Sequence, residues 1–434
     1  MRLDPLLAFY ALPMFVIWFV YIGLRRRHET SSTMVMDAAK AAGLLEPASL
    51  HPKINQAKCM GCGACVWACP EGGILGLIDG KAVLIEPTQC IGHGACKTSC
   101  PNDAIALVFG TETRGVEIPQ VGPDFQTNIP GIFVAGELGG MGLIRNAIEQ
   151  GCQAVDSVRR VASSGQTDEL DVVIVGAGPA GFAASLAAIQ HRLRFVTIEQ
   201  ESFGGTVAHY PRGKLVMTAP ATLPLIGKVN FREVSKEKLL EFWRDAAQRT
   251  NLKIQYRECV LSVVRNARQF EVVTTHRKYR TRTVLLAIGR RGTPRKLNVP
   301  GEDHPKVVYR LIDPEQYRGR HVLVVGGGDS ALEAAASIAE QQDTVVTLSY
   351  RGANFGRAKL KNRKRVDAVF QSGQLSLILG SAVKSIHDHS VEIEHLGRRK
   401  VLKNDSLIVC AGGVLPSQFL KDIGVDMEIK YGTA

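Results

Sequence analysis

Cysteine is almost missing from most of this 434-residue chain: seven of its ten cysteines fall between Cys59 and Cys100, and Cys152, Cys259 and Cys410 stand alone. A secreted disulfide scaffold spreads its cysteines through a small domain, so that class is excluded and a reducing compartment follows. Acid is the minority charge, 41 Asp and Glu against 53 Lys and Arg, and the surplus of +12 draws anions, phosphorylated cofactors and acidic partners among them. No helix-turn-helix, zinc-finger or aromatic RNA-binding pattern occurs, which removes nucleic acid from the list of partners. Charge is absent altogether from Leu6 to Leu24. At about 1.5 Å per residue a helix over that stretch is about 28 Å long, close to the hydrocarbon thickness of a bilayer. Arg25, Arg26 and Arg27 follow it, against Arg2 alone before it. The positive-inside rule then puts the N-terminus outside and the globular body in the cytoplasm. Residues 1–30 are therefore expected to form a single-pass anchor in the inner (cytoplasmic) membrane, with residues 31–52 as a linker.

The crowded cysteines carry a pattern. "CMGCGACVWACP" runs from Cys59 to Pro70 and "CIGHGACKTSCP" from Cys90 to Pro101, a repeat at a constant offset of 31. Zinc wants four ligands in one closed tetrahedron, which a doubled motif with seven cysteines does not match. The segment 53–110 resembles the bacterial two-cluster ferredoxins, a small α+β domain. In that family three thiolates of each motif hold one cluster and the fourth crosses to the other. The resemblance implies a first 4Fe–4S cluster on Cys59, Cys62, Cys65 and Cys100, and a second on Cys69, Cys90 and Cys96. The offset puts the remaining ligand at His93, where the family pattern has cysteine. Three outcomes stay open there: a His-ligated 4Fe–4S cluster, a 3Fe–4S cluster with His93 free, or no second cluster.

Two further motifs concern dinucleotides. The strand "VVIVG" leads into Gly176-x-Gly178-x-x-Gly181 and an Ala-rich helix, and Glu199 closes the next strand. In that context the glycines let a pyrophosphate approach the helix N-terminus, and the acid accepts hydrogen bonds from a ribose. A second copy at Gly326, Gly328 and Ala331 has Ser349 at the acid's position, with Tyr350, Arg351, Arg357 and Lys359 close behind. A missing carboxylate with arginines nearby favours a 2′-phosphate, hence NADP over NAD. The basic run "KLKNRKR" beyond it reads as a solvated loop.

Residues 116–434 resemble the flavoproteins with two Rossmann-like dinucleotide domains, thioredoxin reductase and the ferredoxin–NADP reductases built on its fold. The resemblance implies an α/β FAD-binding domain over 111–291, completed by 405–434, and an NAD(P)-binding domain over 292–404. It also implies flavin contacts from Gly204, Gly205 and Thr206, and from Gly136 and Glu137 in "TNIPGIFVAGE". In the family that last string comes near the C-terminus; here it precedes the first fingerprint, so the domain reads as circularly permuted. Thioredoxin reductases carry a C-x-x-C just before the second fingerprint, and Val307–Gly328 contains no cysteine. The expectation is hydride transfer between NADPH and FAD, then single electrons through the clusters to a redox protein or a quinone-linked membrane complex. No side chain is nominated as catalytic, because the cofactors carry the chemistry. The alternatives are a redox-sensing or scaffold subunit and a low-molecular-weight disulfide reductase; a homodimer is left open.

Overall fold

A computed structural model describes residues 5–41, 45–47, 50–90, 92–113, 115–140, 142–162, 169–210, 212, 215–217, 220–231, 233–266, 269–290, 292–356 and 358–432. The chain forms two compact units, residues 1–116 with 430–434, and residues 117–429.

The first unit opens with one long helix, α1 (Pro5–Ala41). The expected membrane anchor is corrected here. Among the described residues no helix is long and apolar enough to cross a membrane. The apolar stretch is only the start of α1, which continues without a break through Arg25, Arg26, Arg27, Glu29, Asp37 and Lys40. The second half of the helix packs on protein instead of ending as a tether. The single-pass topology, the inner-membrane placement and the membrane helix in the fold class fall with the anchor. A window of hydropathy reads the first turns of a helix and not where the helix goes next.

After α1 come β1 (His51–Ile54), α2 (Ala64–Ala68), β2 (Leu75–Ile78), β3 (Lys81–Leu84), α3 (Ala95–Thr98) and β4 (Ile105–Val108). β1 pairs antiparallel with β4, and β2 with β3. The repeat of 31 is visible in the backbone: Gly63 before α2 and Gly94 before α3 both have φ near +77°. The β2–β3 turn is Asp79-Gly80, both at positive φ, as a two-residue hairpin turn requires. Cys65, Leu75, Ala82, Cys96 and Ile105 form the small core. α1 lies on β2: a Cβ at Gly76 would meet the Ser32 hydroxyl at 2.5 Å. About one turn earlier in α1, the Glu29 carboxylate accepts a hydrogen bond from the Gly80 amide at 3.2 Å.

The second unit holds two large sheets, the first mixed and the second all parallel. After β5 (Val116–Pro119) the chain forms β6 (Ile132–Val134), α4 (Ile144–Ala162), β7 (Leu170–Val175), α5 (Pro179–Gln190) and β8 (Phe195–Glu199). The first sheet runs Ile254–Tyr256, β8, β7, Lys278–Leu286, Gln269–Thr274, Val260–Asn266. Lys278–Leu286 has two kinds of neighbour on one side. Its first half pairs antiparallel with Gln269–Thr274, and its last residues pair parallel with β6, Val284 with Ile132 through Leu286 with Val134. The second sheet is all parallel, in the order Val307–Val308, Ser406–Val409, His321–Val325, Val345–Tyr350, Leu375–Leu379. It is followed by a three-stranded antiparallel meander, Ser381–Lys403. The run "KLKNRKR", read as a loop, lies mostly in the helix Leu360–Gln371.

Phe133 in β6, Ala135 just after it, and Ala147, Val155 and Val158 on α4 share one core with Val172, Ile174 and Ala184. α4 crosses α5 closely enough that a Cβ on Gly151 would collide with the Ala180 carbonyl oxygen. Gly151→Ala should therefore lower stability by about 1–3 kcal/mol, the usual cost of overpacking. The midpoint of thermal unfolding reports it; an unchanged midpoint would show that the crossing has slack.

Candidate functional site

The two sheets of the second unit face a cleft of about 1130 Å³, larger than a single drug-sized ligand needs. Both glycine-rich turns open into it. In the first, Gly176 has φ +102° and a Cβ there would stand 2.5 Å from the Ala287 carbonyl oxygen. Gly178 caps α5, and a Cβ at Gly181 would collide with the Gly176 carbonyl. Gly176 and Gly181 thus have steric reasons, and the first residues of α5, with Gly178 before them, line the cleft. Glu199 ends β8 and is buried, its carboxylate accepting hydrogen bonds from the Ala177 amide at 2.7 Å and the Glu201 amide at 2.9 Å. Burial pushes its pKa up, against the downward pull of those two amides.

The other residues expected at the flavin converge on the same wall. Gly136, Glu137, Gly205 and Thr206 line the cleft together with Gly176, Gly178 and Glu199. Gly204 sits behind them, donating from its amide to the Ala177 carbonyl at 3.1 Å. Gly205 packs against Gly178, where a Cβ would stand 2.9 Å from the Gly178 Cα. Gly181 supports the turn from beneath.

The second turn is built the same way. A Cβ at Gly326 would collide with the Cys410 carbonyl, Gly328 caps the helix Asp329–Ala339, and Ala331 is fully buried under the turn. Ser349, at the ribose position, turns into the core and bonds the Ser381 hydroxyl at 2.8 Å. It is not presented to a ligand. Tyr350 and Arg351 line the cleft. The Tyr350 ring lies against Gly327 and stacks on Phe355 at 5.7 Å. Arg357 lies outside the described residues. The Lys359 amide donates to Asp329 at 2.8 Å, which ties the loop back to the turn.

Sequence reasoning missed a bridge between the two sheets. Arg310 donates to the Glu201 carboxylate at 3.1 and 3.2 Å, and His209 reaches the same group at 2.7 Å. Burial raises the Glu201 pKa, but Arg310 and His209 outweigh it and hold the carboxyl below its usual range. Arg212 adds a contact to Asp313 at 3.2 Å. Arg310 lies 109 residues from Glu201 and Asp313 lies 101 from Arg212, so no local pattern announces these pairs.

In the first unit Cys59, Cys62, Cys65 and Cys100 line one small cavity, with Gly63, Ala82 and Pro101. This is the donor set of one cubane, and it fits: four thiols around a common space. The Cys59 sulfur accepts from the Ala82 amide at 3.4 Å and the Cys100 sulfur from the Ala104 amide at 3.3 Å. Cys69, Cys90 and Cys96 also lie near one another. Burial raises the Cys96 thiol, and Cys90 and Cys69 raise it further. The His93 Nε2 stands 3.9 Å from the Glu71 carboxylate, both partly buried. Among the described residues no three His, Cys, Asp or Glu groups are drawn close enough for a single metal ion; a cubane spaces its ligands more widely.

Two nucleotide turns on one cleft, each closing a parallel sheet, define a two-dinucleotide oxidoreductase. Residues 173–432 match the family described as pyridine nucleotide-disulphide oxidoreductase, and the chain belongs to it. Residues 51–101 match a 4Fe-4S dicluster domain. Among similar curated proteins are a ferredoxin–NADP reductase of Ignicoccus hospitalis, 28% identical over 60% of this chain and 83% of that one, and bacilliredoxin reductase Bdr of Bacillus subtilis, 26% identical over 60% and 82%. Among solved structures, bacillithiol disulfide reductase Bdr of Staphylococcus aureus matches with a TM-score of 0.51 at 24% identity, covering 60% of this chain and 81% of that one; this likeness concerns the fold. The protein is an FAD-dependent oxidoreductase that also carries an iron–sulfur domain.

Gly176→Ala puts a methyl group against Ala287 at positive φ and closes the turn. The purified variant should retain about tenfold less flavin, in line with an overpacking cost of about 1–3 kcal/mol. Visible absorbance measures it, and full flavin occupancy would exclude the first turn as the flavin site.

Proposed function

We propose that this enzyme exchanges electrons between NADPH and its own iron–sulfur unit, with a redox protein or a quinone-linked partner beyond. The observation that carries the reading is the pairing, in one chain, of a cleft with two nucleotide turns and a cavity lined by four cysteines. Bound in this cleft, FAD would supply the exchange between two-electron hydride chemistry and single electrons. Gly176, Gly178 and Gly181 leave room for its pyrophosphate, and Glu199 holds a ribose through lone pairs the backbone does not use. Glu137 replaces the family's aspartate at the ribityl chain. Gly205 and Thr206, on the same wall, would hold the flavin, with Gly204 shaping their turn. The second turn, through Gly326, Gly328 and Ala331, takes the nicotinamide nucleotide. Arg351 there, with Arg357, meets the 2′-phosphate, while Ser349 leaves no carboxylate to repel it. Cys59, Cys62, Cys65 and Cys100 hold one cluster; Cys69, Cys90, His93 and Cys96 hold a second.

The segment 127–162 is, in this reading, the family's last strand and helix moved ahead of the first fingerprint, a circular permutation. Two observations support it. β6 extends the sheet in parallel register and α4 shares its core, yet both lie outside the family match, which begins at residue 173. The domains are then 53–110, 111–291 with the segment after residue 409, and 292–409, because Ser406–Val409, expected with the first domain, pairs with His321–Val325 in the second sheet.

Similarity to bacilliredoxin reductase gives a second reading, reduction of a small disulfide. Two cysteines line the cleft, Cys259 and Cys410. Burial pushes Cys410 up to about 12 and raises Cys259 as well. Both shifts work against the thiolate that would attack a disulfide. The electron-transfer reading is favoured.

Arg351→Ala should raise the Michaelis constant for NADPH about tenfold to hundredfold, the worth of a charge-assisted hydrogen bond, and leave NADH nearly untouched. An equal effect on both nucleotides would refute the phosphate assignment. For the second cluster, imidazole is neutral where thiolate is anionic, and replacing Cys by His raises the potential in Rieske centres. His93→Cys should lower the potential of that cluster in an EPR-monitored titration and leave the other in place. No shift, with iron content unchanged, would show that His93 is not a ligand.

A further inference from the structure

The two halves of the iron–sulfur unit are related by the repeat, and their surroundings can be compared position by position. At the first motif Gly61 packs on the Gly80 carbonyl, where a Cβ would collide with it. At the second, Gly92 packs on the Leu50 carbonyl in the same manner, where a Cβ would stand 2.8 Å away. Gly80 and Leu50 are thus counterparts, each leading into a strand, β3 or β1. The next residues differ. After Gly80 come Lys81 and Ala82; after Leu50 come His51 and Pro52.

That difference falls on the sulfur ligands. The Ala82 amide donates to the Cys59 sulfur at 3.4 Å, and the Lys81 ammonium donates to the Cys59 carbonyl at 2.6 Å. Pro52 has no amide hydrogen to give. The Cys90 thiol instead donates to the Leu50 carbonyl oxygen, at 3.8 Å. The hairpin that presents Lys81 is also braced. Glu29 on α1 accepts from the Gly80 amide, the Arg25 guanidinium lies against Gly80, and the Gln56 side chain donates to the Ala82 carbonyl at 3.1 Å.

We propose that Lys81, presented by the α1-braced hairpin beside Cys59, is a positioning residue that raises the potential of the cluster at Cys59, Cys62, Cys65 and Cys100. Reduction adds one electron and breaks no bond, so the whole effect is electrostatic. A positive charge and a hydrogen bond near a thiolate favour the state with the extra negative charge. The device opposes the effect of His93 at the other cluster and brings the two potentials together. A narrow gap lets an electron pass in either direction.

The proposal rests on the electron-transfer reading above, and the test separates the two. Full-length wild type, Lys81→Met and Lys81→Arg are compared by iron content and EPR-monitored titration. The expected result is equal iron in all three, with the first cluster's ratio of reduced to oxidised form about tenfold lower in Lys81→Met at a given potential, about 59 mV. Lys81→Arg should sit near wild type, because it keeps the charge. An unshifted first cluster, an equal shift in both clusters, or an arginine variant that behaves like methionine would overturn the role of Lys81. Wild type without an EPR-active cluster would instead overturn the electron-transfer reading.

Discussion

Three residues, Val284, Leu285 and Leu286, are hydrogen-bonded on both sides by parallel strands, β7 on one flank and β6 on the other. The flavin side of the enzyme depends on this double pairing. The same strand runs on to Ala287, whose carbonyl oxygen presses on Gly176 and leaves only glycine room to turn there. β6 delivers Gly136 and Glu137 to the wall, and β8 delivers Glu199. Chain segments far apart in sequence therefore meet at one edge because their strands share a single neighbour. Such an edge, at the carboxyl ends of parallel strands, is where open α/β sheets bind ligands.

What could be read before the structure was the chemistry with fixed spacing. The cysteine motifs and the glycine turns are local; each needs only a handful of neighbouring residues, so their pattern survives in the linear sequence. Cys59, Cys62 and Cys65 with the distant Cys100 come together as read, as do the residues of both turns. Partner choice over long distances was not legible. Glu201 and Arg310 give no sign of each other, and Ser349 looks as open as the acid it replaces until its bond to Ser381 is seen. The apolar start of α1 misled for a related reason: composition over nineteen residues says nothing about the charged turns that follow and dock on β2.

The bridge of Glu201, Arg310 and His209 bears on how the two nucleotide sites communicate. It spans the cleft between the sheets, so a change in the separation of the turns must stretch or break a charge-assisted contact. The cost of that motion is set by side chains that touch neither glycine turn.

The position of β6 also has a consequence for synthesis. It leaves the ribosome before its partner Val284–Leu286, which follows roughly 150 residues later. At about 5–20 residues per second that is a wait of about 10–30 s. During it Ile132, Phe133 and Val134, all buried in the finished fold, have no sheet to join. The nascent chain must shield an apolar strand for much of its own elongation, a burden that falls on whatever meets it at the exit tunnel.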